Sequence, residues 1–351
     1  MDTYRYLLDL AIILISTKLL GLLTRRVQMP QVVGALLAGL ILGPAGFGIL
    51  SETSFIHEVA EIGVIVLMFT AGMETDIKEL KASGKASFII ALCGVIVPLI
   101  GGYGVAWFFN RPNMAGSNLS SPVVLQNVFI GVVLTATSVS ITVETLKELG
   151  ALKSRSGNAI LGAAIIDDVL GIIALTIVTS LADDSVKIGM VLIKIVGFFV
   201  FSGVVGFVFY KMYKKWVDGA EKELHRHTII AFVFCLIMAF IAEEVFGVAD
   251  ITGAFFAGVI ISMTQKDQFI ASKFDVVAYM LLSPIFFASI GLKVDGKAVA
   301  SMGILIVVYA VIFGGFYMIF MRPQKKEQKR VQAMINEMEV GDTVLTTGGF
   351  Y

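Results

Sequence analysis

Charged residues are scarce in this sequence of 351 residues, as are cysteine, histidine and proline. Lysine, arginine, aspartate and glutamate make up 15% of the chain, whereas a soluble domain usually contains about a quarter. The two cysteines, Cys93 and Cys235, both fall inside apolar stretches, so no disulfide framework is expected. The histidines lack metal-ligand spacing, and no basic surface with interleaved aromatic residues predicts a nucleic-acid partner.

What fills the chain instead is a series of apolar stretches of roughly 20 residues, and hydrophobic residues make up 57% of the sequence. Stretches of this length cross a lipid bilayer as helices, and they are too long for the strands of a membrane barrel. We therefore predict an all-α polytopic membrane protein with eleven transmembrane helices. The predicted spans are 4–24, 30–43, 54–73, 86–109, 127–146, 156–180, 188–210, 228–246, 250–263, 275–292 and 298–321.

The lysines and arginines of the predicted loops indicate how the chain is oriented. With the N-terminus outside, twenty of these residues fall in the inside loops and five in the outside loops. Cytoplasmic loops are enriched in positive charge. The count therefore predicts an outside N-terminus and a cytoplasmic C-terminus.

A short pattern recurs in the chain at a constant offset of 219 residues. The segment "GALLAG" at 34–39 returns as "GAFFAG" at 253–258, and the same offset relates Gly72 to Gly291. The two copies lie seven helices apart, so they are expected to cross the membrane in opposite directions. This is the arrangement of inverted-repeat transporters, which bind ions near the membrane midplane between the two halves.

The second copy of this repeat is predicted to be truncated. The counterpart of the polar run at 135–140 would fall at 354–359, and that of Asp167 at 386, both beyond the last residue given. The second of two crossing helices offsets the dipole ends of the first. We therefore expect that this polypeptide alone transports poorly or not at all.

Two consecutive aspartates, Asp167 and Asp168, lie near the middle of the predicted span 156–180. An ionised acid at this depth is costly unless it is paired, hydrated or protonated, so such acids are functional by default. Loss of hydration and the neighbouring carboxylate both favour protonation, and the two groups titrate together. We predict that both aspartates bind either a proton or a metal cation such as Na⁺. The alternative is a purely structural salt bridge to Lys18 or Lys194.

The preceding span contains the hydroxyl-rich segment "TATSVSIT" at 135–142. Hydroxyls, and carbonyls freed by a break in the helix, are suitable ligands for hard cations, and the ends of a broken helix would point at the ion. The alternative is that the hydroxyls bond back to their own helix. The predicted ion- or proton-binding residues beside the aspartates are Thr135, Thr137 and Ser138, and the candidates for a surrounding polar layer are Ser140, Glu61 and Lys18.

Six segments together resemble cation:proton antiporters of the Kef/NapA type, over roughly residues 1–300. They are "MPQVVGALLAGLILGP", "EIGVIVLMFTAGMETD", "TATSVSITVETLKELGAL", "GNAILGAAIIDDVLGIIALTIV", "GAFFAGVIIS" and "PIFFASIGLKVD". The resemblance implies a homodimer of the bacterial inner membrane, with thirteen helices, a dimerisation domain and a mobile core that moves like an elevator. By position it implies that Asp168 carries the ion and the proton, with Asp167 as its partner. It also implies that Thr137 and Ser138 belong to a broken-helix site.

The end of the chain resembles a second family, the YajC-type accessory subunit of the preprotein translocase. From about residue 304 to 351, one helix leads into "RPQKKEQKR" and then to "GDTVLTTGG". We therefore divide the chain into an exchanger domain at 1–300 and a YajC-like helix and tail at 301–351, both incomplete. Translocase subunits are candidate partners through residues 313–351, besides the lipid bilayer.

These patterns predict a transporter, not an enzyme, with no cofactor besides the transported Na⁺ (or K⁺ or Li⁺) and H⁺. The predicted reaction is secondary antiport of a monovalent cation against H⁺ at the aspartate pair. The alternatives are an accessory subunit of the translocase and a fused or truncated antiporter that is inactive in transport. A sodium-coupled symporter of an organic acid is disfavoured, because the core spans lack an inward-facing arginine.

Overall fold

The computed structural model describes residues 4–27, 29–110, 122–182, 188–218 and 224–296, with the pairs 345–346 and 349–350. Every regular element that it describes up to residue 296 is helical. The helices are α1 (Arg5–Arg26), α2 (Gln31–Leu42), α3 (Ser54–Glu74), α4 (Ile77–Phe109), α5 (Val123–Val133), α6 (Val139–Glu148), α7 (Arg155–Ala182), α8 (Ile188–Asp218), α9 (Leu224–Ile241), α10 (Asp250–Ser262), α11 (Asp267–Val277) and α12 (Ser283–Leu292).

Within the described residues, seven helical runs are long and apolar enough to cross a membrane. The helices α2, α5 and α10 are apolar but shorter. The chain is thus a multi-pass helical membrane protein, as predicted, and the number of crossings stays a prediction. The predicted span 298–321 lies outside the described residues.

Three helices extend eight or nine residues beyond the predicted spans, because hydropathy detects the apolar part of a helix and not its polar extension. The helix α4 begins at Ile77 and not at 86, since the Asp76 side chain accepts hydrogen bonds from two backbone N–H groups of its first turn. The helix α8 continues to Asp218 and not to 210. The helix α11 begins at Asp267, and not at 275.

Two π-helical turns interrupt the last long helical runs. The turn Ala242–Phe246 ends the run of α9, and Gly247 follows it in the left-handed region with φ of 63°. The turn Ala278–Leu282 joins α11 to α12 directly before Pro284. Proline has no N–H group and its ring collides with the carbonyl of the preceding turn, and a wider π turn relieves that conflict.

Glycines bring several pairs of helices into backbone contact, among them α2 with α12 and α3 with α10. A Cβ atom added to Gly39 of α2 would lie 3.0 Å from the Cα atom of Gly291 in α12. A Cβ atom added to Gly72 of α3 would likewise lie 3.0 Å from the Cα atom of Gly258 in α10. In membranes, such small residues let helices approach closely and pack through van der Waals contact. The two glycine pairs hold α2 against α12 and α3 against α10.

The chain divides into two compact units, residues 1–293 and 294–351. The first unit contains α1 to α12. Of the second unit, the structure describes residues 294–296 and an antiparallel pair of two-residue strands, β1 (Leu345–Thr346) and β2 (Gly349–Phe350). The predicted domain boundary near residue 300 stays a prediction.

Candidate functional site

The hydroxyl-rich segment lies at a break between two short helices. Helix α5 ends at Val133, and α6 begins only at Val139. Thr135 donates its hydroxyl hydrogen to the Val132 carbonyl at 2.8 Å. The Ser138 hydroxyl caps α6, accepting a hydrogen bond from the Ile141 N–H group at 3.3 Å. The local sequence thus ends one helix and starts the next.

Helix α7 brings the first aspartate to this break. The Thr137 hydroxyl donates a hydrogen bond to Oδ2 of Asp167 at 2.5 Å. The Asp167 residue is 6% exposed, and its other carboxylate oxygen, Oδ1, is buried without a hydrogen-bond partner in the described part of the chain. A buried acceptor without a partner is costly when the group is charged. A proton or a cation bound at Oδ1 would remove this cost.

The second aspartate, Asp168, is half-buried beside the first. Neither a hydrogen bond nor an ion pair engages its carboxylate among the residues that the structure describes. Asp168 is therefore more accessible than Asp167.

The alternative of a structural salt bridge to this pair is wrong for the described residues. Lys18 donates its hydrogen bond to the hydroxyl of Tyr279 and lies over that ring, 4.2 Å from its centre. Lys194 is exposed on α8. Glu61 contacts His57 on its own helix, with 3.9 Å between Oε1 and Nδ1. Lys18 and Glu61 thus contact Tyr279 and His57, and not the aspartates.

The alternative of hydroxyls bonding back to their own helix is right for part of the segment. Thr135 bonds in this way, and Thr142 donates to the Ser138 carbonyl at 3.0 Å. Thr137 reaches across to α7 instead. Ser140 is buried in the first turn of α6. The Thr137 hydroxyl is therefore the member of the segment that joins the broken helix to the acids.

A second charged cluster, which the sequence did not predict, surrounds Lys147 at the end of α6. Its Nζ atom lies 2.8 Å from Oε1 of Glu74, 3.1 Å from Oδ1 of Asp275 and 3.2 Å from the hydroxyl oxygen of Thr70. Lys147 is one of the twenty lysines and arginines that fall in the predicted inside loops. Its partners lie on α3 and α11, 73 or more residues away in the chain, so no local pattern reveals them.

A cleft with a volume of about 620 Å³ opens beside this cluster. It is lined by charged side chains from four helices and a loop, including those of Arg25, Glu144, Lys147, Lys153 and Asp275. In the described ranges, no three His, Cys, Asp or Glu side chains are arranged to hold a metal ion.

Comparison with known families gives two matches. The model of the transmembrane sodium/hydrogen exchanger family matches residues 11–325. The model of the YajC preprotein translocase subunit matches residues 306–351. The two matches share residues 306–325, a range that begins inside the predicted span 298–321 and ends four residues beyond it.

Individual relatives agree with the first match. The chain is 37% identical over 308 residues to the probable Na⁺/H⁺ antiporter GerT of Bacillus cereus, covering 87% of this chain and 78% of the relative. It is 35% identical over 314 residues to the Na⁺/H⁺-K⁺ antiporter GerN of the same organism, covering 88% and 77%. The fold is similar to that of the sodium proton antiporter MjNhaP1 from Methanocaldococcus jannaschii, with a TM-score of 0.58, 18% identity and coverage of 83% and 71%. The chain belongs to the sodium/hydrogen exchanger family.

Proposed function

We propose that this protein exchanges Na⁺, or K⁺ or Li⁺, for H⁺ across the bacterial inner membrane at Asp167 and Asp168. The observation that carries the proposal is the buried Asp167, held by Thr137 at the helix break with its Oδ1 atom unpartnered. Two of the relatives are antiporters by name, one for Na⁺ and H⁺ and one that also handles K⁺. The position of Asp167 at the helix break supports the proposal that the exchange takes place there.

In the proposed reaction, the two acids bind a cation and protons in turn. The half-buried Asp168 meets the ion first, and Oδ1 of Asp167 offers a second charged ligand. Thr137 donates to Oδ2 and so keeps that oxygen from competing for the ion. Because either a metal cation or a proton neutralises the same carboxylates, occupation by one excludes the other. Each gradient can then drive the other ion across the membrane.

We further propose that the two halves form an inverted repeat of the Kef/NapA type. The offset of 219 residues carries Gly39 onto Gly258 and Gly72 onto Gly291. The contact between α2 and α12 therefore corresponds to the contact between α10 and α3. A two-fold relation between the halves would make these contacts equivalent, which supports the proposal. We extend the proposal to the thirteen-helix family fold, the homodimer and the elevator-like movement that the resemblance implies, with eleven spans predicted in this sequence. The N-terminus is proposed to lie outside, as the charge of the loops predicts.

Competition at the acids predicts how cation binding depends on pH. We expect the apparent affinity for Na⁺ to fall as the pH falls, because protons occupy the carboxylates. Where one proton is displaced per cation, the apparent dissociation constant rises about tenfold for each pH unit lost. Thermal stabilisation of the purified full chain by NaCl, measured over a series of pH values, checks this. Choline chloride at equal ionic strength is the control, and a Na⁺ effect that is independent of pH would contradict the proposal.

The family match at residues 306–351 supports a second candidate function, that of an accessory subunit of the preprotein translocase. In this case the exchanger region is attached to the tail but has no part in the accessory function. We expect the full chain to copurify with translocase subunits and a variant lacking residues 313–351 to lose them. A variant in which the lysines and arginine of 325–330 are replaced by glutamine tests whether charge alone is responsible. Equal recovery of translocase subunits with and without the tail would contradict this candidate function.

A further inference from the structure

The helices α4 and α7 pack tightly around Ser87, but further along α4 they leave space between them at Gly94. In the N-terminal part of α7, a Cβ atom added to Gly162 would lie 2.7 Å from the Ser87 hydroxyl oxygen of α4. The same hydroxyl donates a hydrogen bond to the Ala159 carbonyl at 3.0 Å. The two helices therefore touch directly at this level.

Two turns further along α4, a glycine faces the first aspartate. A Cβ atom added to Gly94 would lie 3.8 Å from Oδ1 of Asp167, and it would meet no other atom within 4 Å. Oδ1 is the carboxylate oxygen that is buried without a hydrogen-bond partner. Gly94 itself is half-buried, and its missing side chain leaves the position of the added Cβ atom open. Helix packing does not require a glycine here, in contrast to Gly162.

We propose that Gly94 sets which monovalent cation binds at Asp167, by leaving room beside Oδ1 for the ion. This inference rests on the antiport function proposed above. A methyl group at position 94 would touch Oδ1 at an ordinary van der Waals distance and occupy the place that the ion needs. Because this methyl group makes the space smaller, a larger cation would lose more of its contacts with the ligand oxygens and bind more weakly. We therefore expect the affinity to fall most for K⁺, less for Na⁺ and least for Li⁺.

The test compares cation binding by the full-length wild-type chain with binding by a Gly94→Ala variant. One methyl group in a binding pocket changes discrimination by about 10- to 200-fold. We therefore expect the ratio of the apparent dissociation constants for K⁺ and Li⁺ to rise about tenfold or more. Isothermal titration in detergent with KCl, NaCl and LiCl gives these constants. This readout depends on binding alone and not on transport.

The matched control is Gly101→Ala, seven residues further along α4, where an added Cβ atom meets nothing within 4 Å. This variant is expected to keep the wild-type order and ratio of affinities. A Gly94→Ser variant provides a second measurement, because its hydroxyl can donate to Oδ1 and should weaken binding of all three ions.

The outcomes separate this inference from the proposed function. If wild-type binding is abolished by Asp168→Asn but Gly94→Ala leaves the ratio unchanged, the role of Gly94 is wrong and the proposed function stands. If the wild-type chain binds none of the three cations, both are wrong. If Gly94→Ala does not fold while Gly101→Ala does, there is no free space for a methyl group beside Oδ1, and the inference is wrong.

Discussion

Replacing Asp168 with asparagine is expected to abolish any Na⁺-dependent proton movement that the wild-type chain supports on its own, down to the level of liposomes without protein. Asparagine has nearly the same shape as aspartate, but it carries no charge that can balance a cation and it does not titrate. The carboxylate of Asp168 has no hydrogen bond or ion pair within the described residues, so the substitution removes no structural contact there. The measurement is proton flux in proteoliposomes after a Na⁺ pulse, followed with a pH-sensitive dye.

The control for this substitution is Glu58→Gln, which neutralises an exposed acid in the first turns of α3. It is expected to behave like the wild-type chain in both flux and thermal stability. Proton flux that depends on Na⁺ and survives Asp168→Asn would contradict the assignment of the aspartate pair. Binding of Na⁺ that persists in the variant, measured by titration, would contradict it independently of transport.

Replacing Lys147 with methionine is expected to produce the largest loss of stability. Its side chain is 19% exposed, and it holds Glu74, with 20% exposure, and Asp275 together. Without the ammonium group, two carboxylates from α3 and α11 face each other with no counter-charge. Breaking a buried ion pair costs about 3–5 kcal/mol, and the half-exposed Asp275 places this cluster near the lower end, at about 3 kcal/mol.

Unfolding by denaturant in detergent micelles measures this loss. The matched control is Lys153→Met, because Lys153 lines the same cleft but is exposed. The double variant Lys147→Met with Glu74→Gln is expected to recover part of the lost stability, since it also removes one of the uncompensated charges. Equal stability of Lys147→Met and Lys153→Met would show that the cluster contributes little.

The local features of the candidate site could be predicted from sequence because each depends on neighbouring residues. The aspartate pair is conspicuous since ionised groups are rare in apolar spans. The density of hydroxyls at 135–142 indicated a special segment, and the helix does end at Val133 and restart at Val139. The sequence did not distinguish Thr137, which reaches Asp167, from Thr135, which bonds back to its own helix. That choice depends on the rotation of α7 relative to the break.

The sequence by itself determined the class of protein, the approximate positions of the apolar helices and the acids at their centre. These features follow from the free energy of transferring each segment into lipid, which depends on composition and order along the chain. Only the tertiary structure decided that Lys18 contacts Tyr279, that Lys147 joins α3 to α11, and that Gly94 faces Asp167. Such contacts depend on how far each helix is rotated and tilted against the next. Packing between helices distant in sequence sets those angles, and hydropathy does not record them.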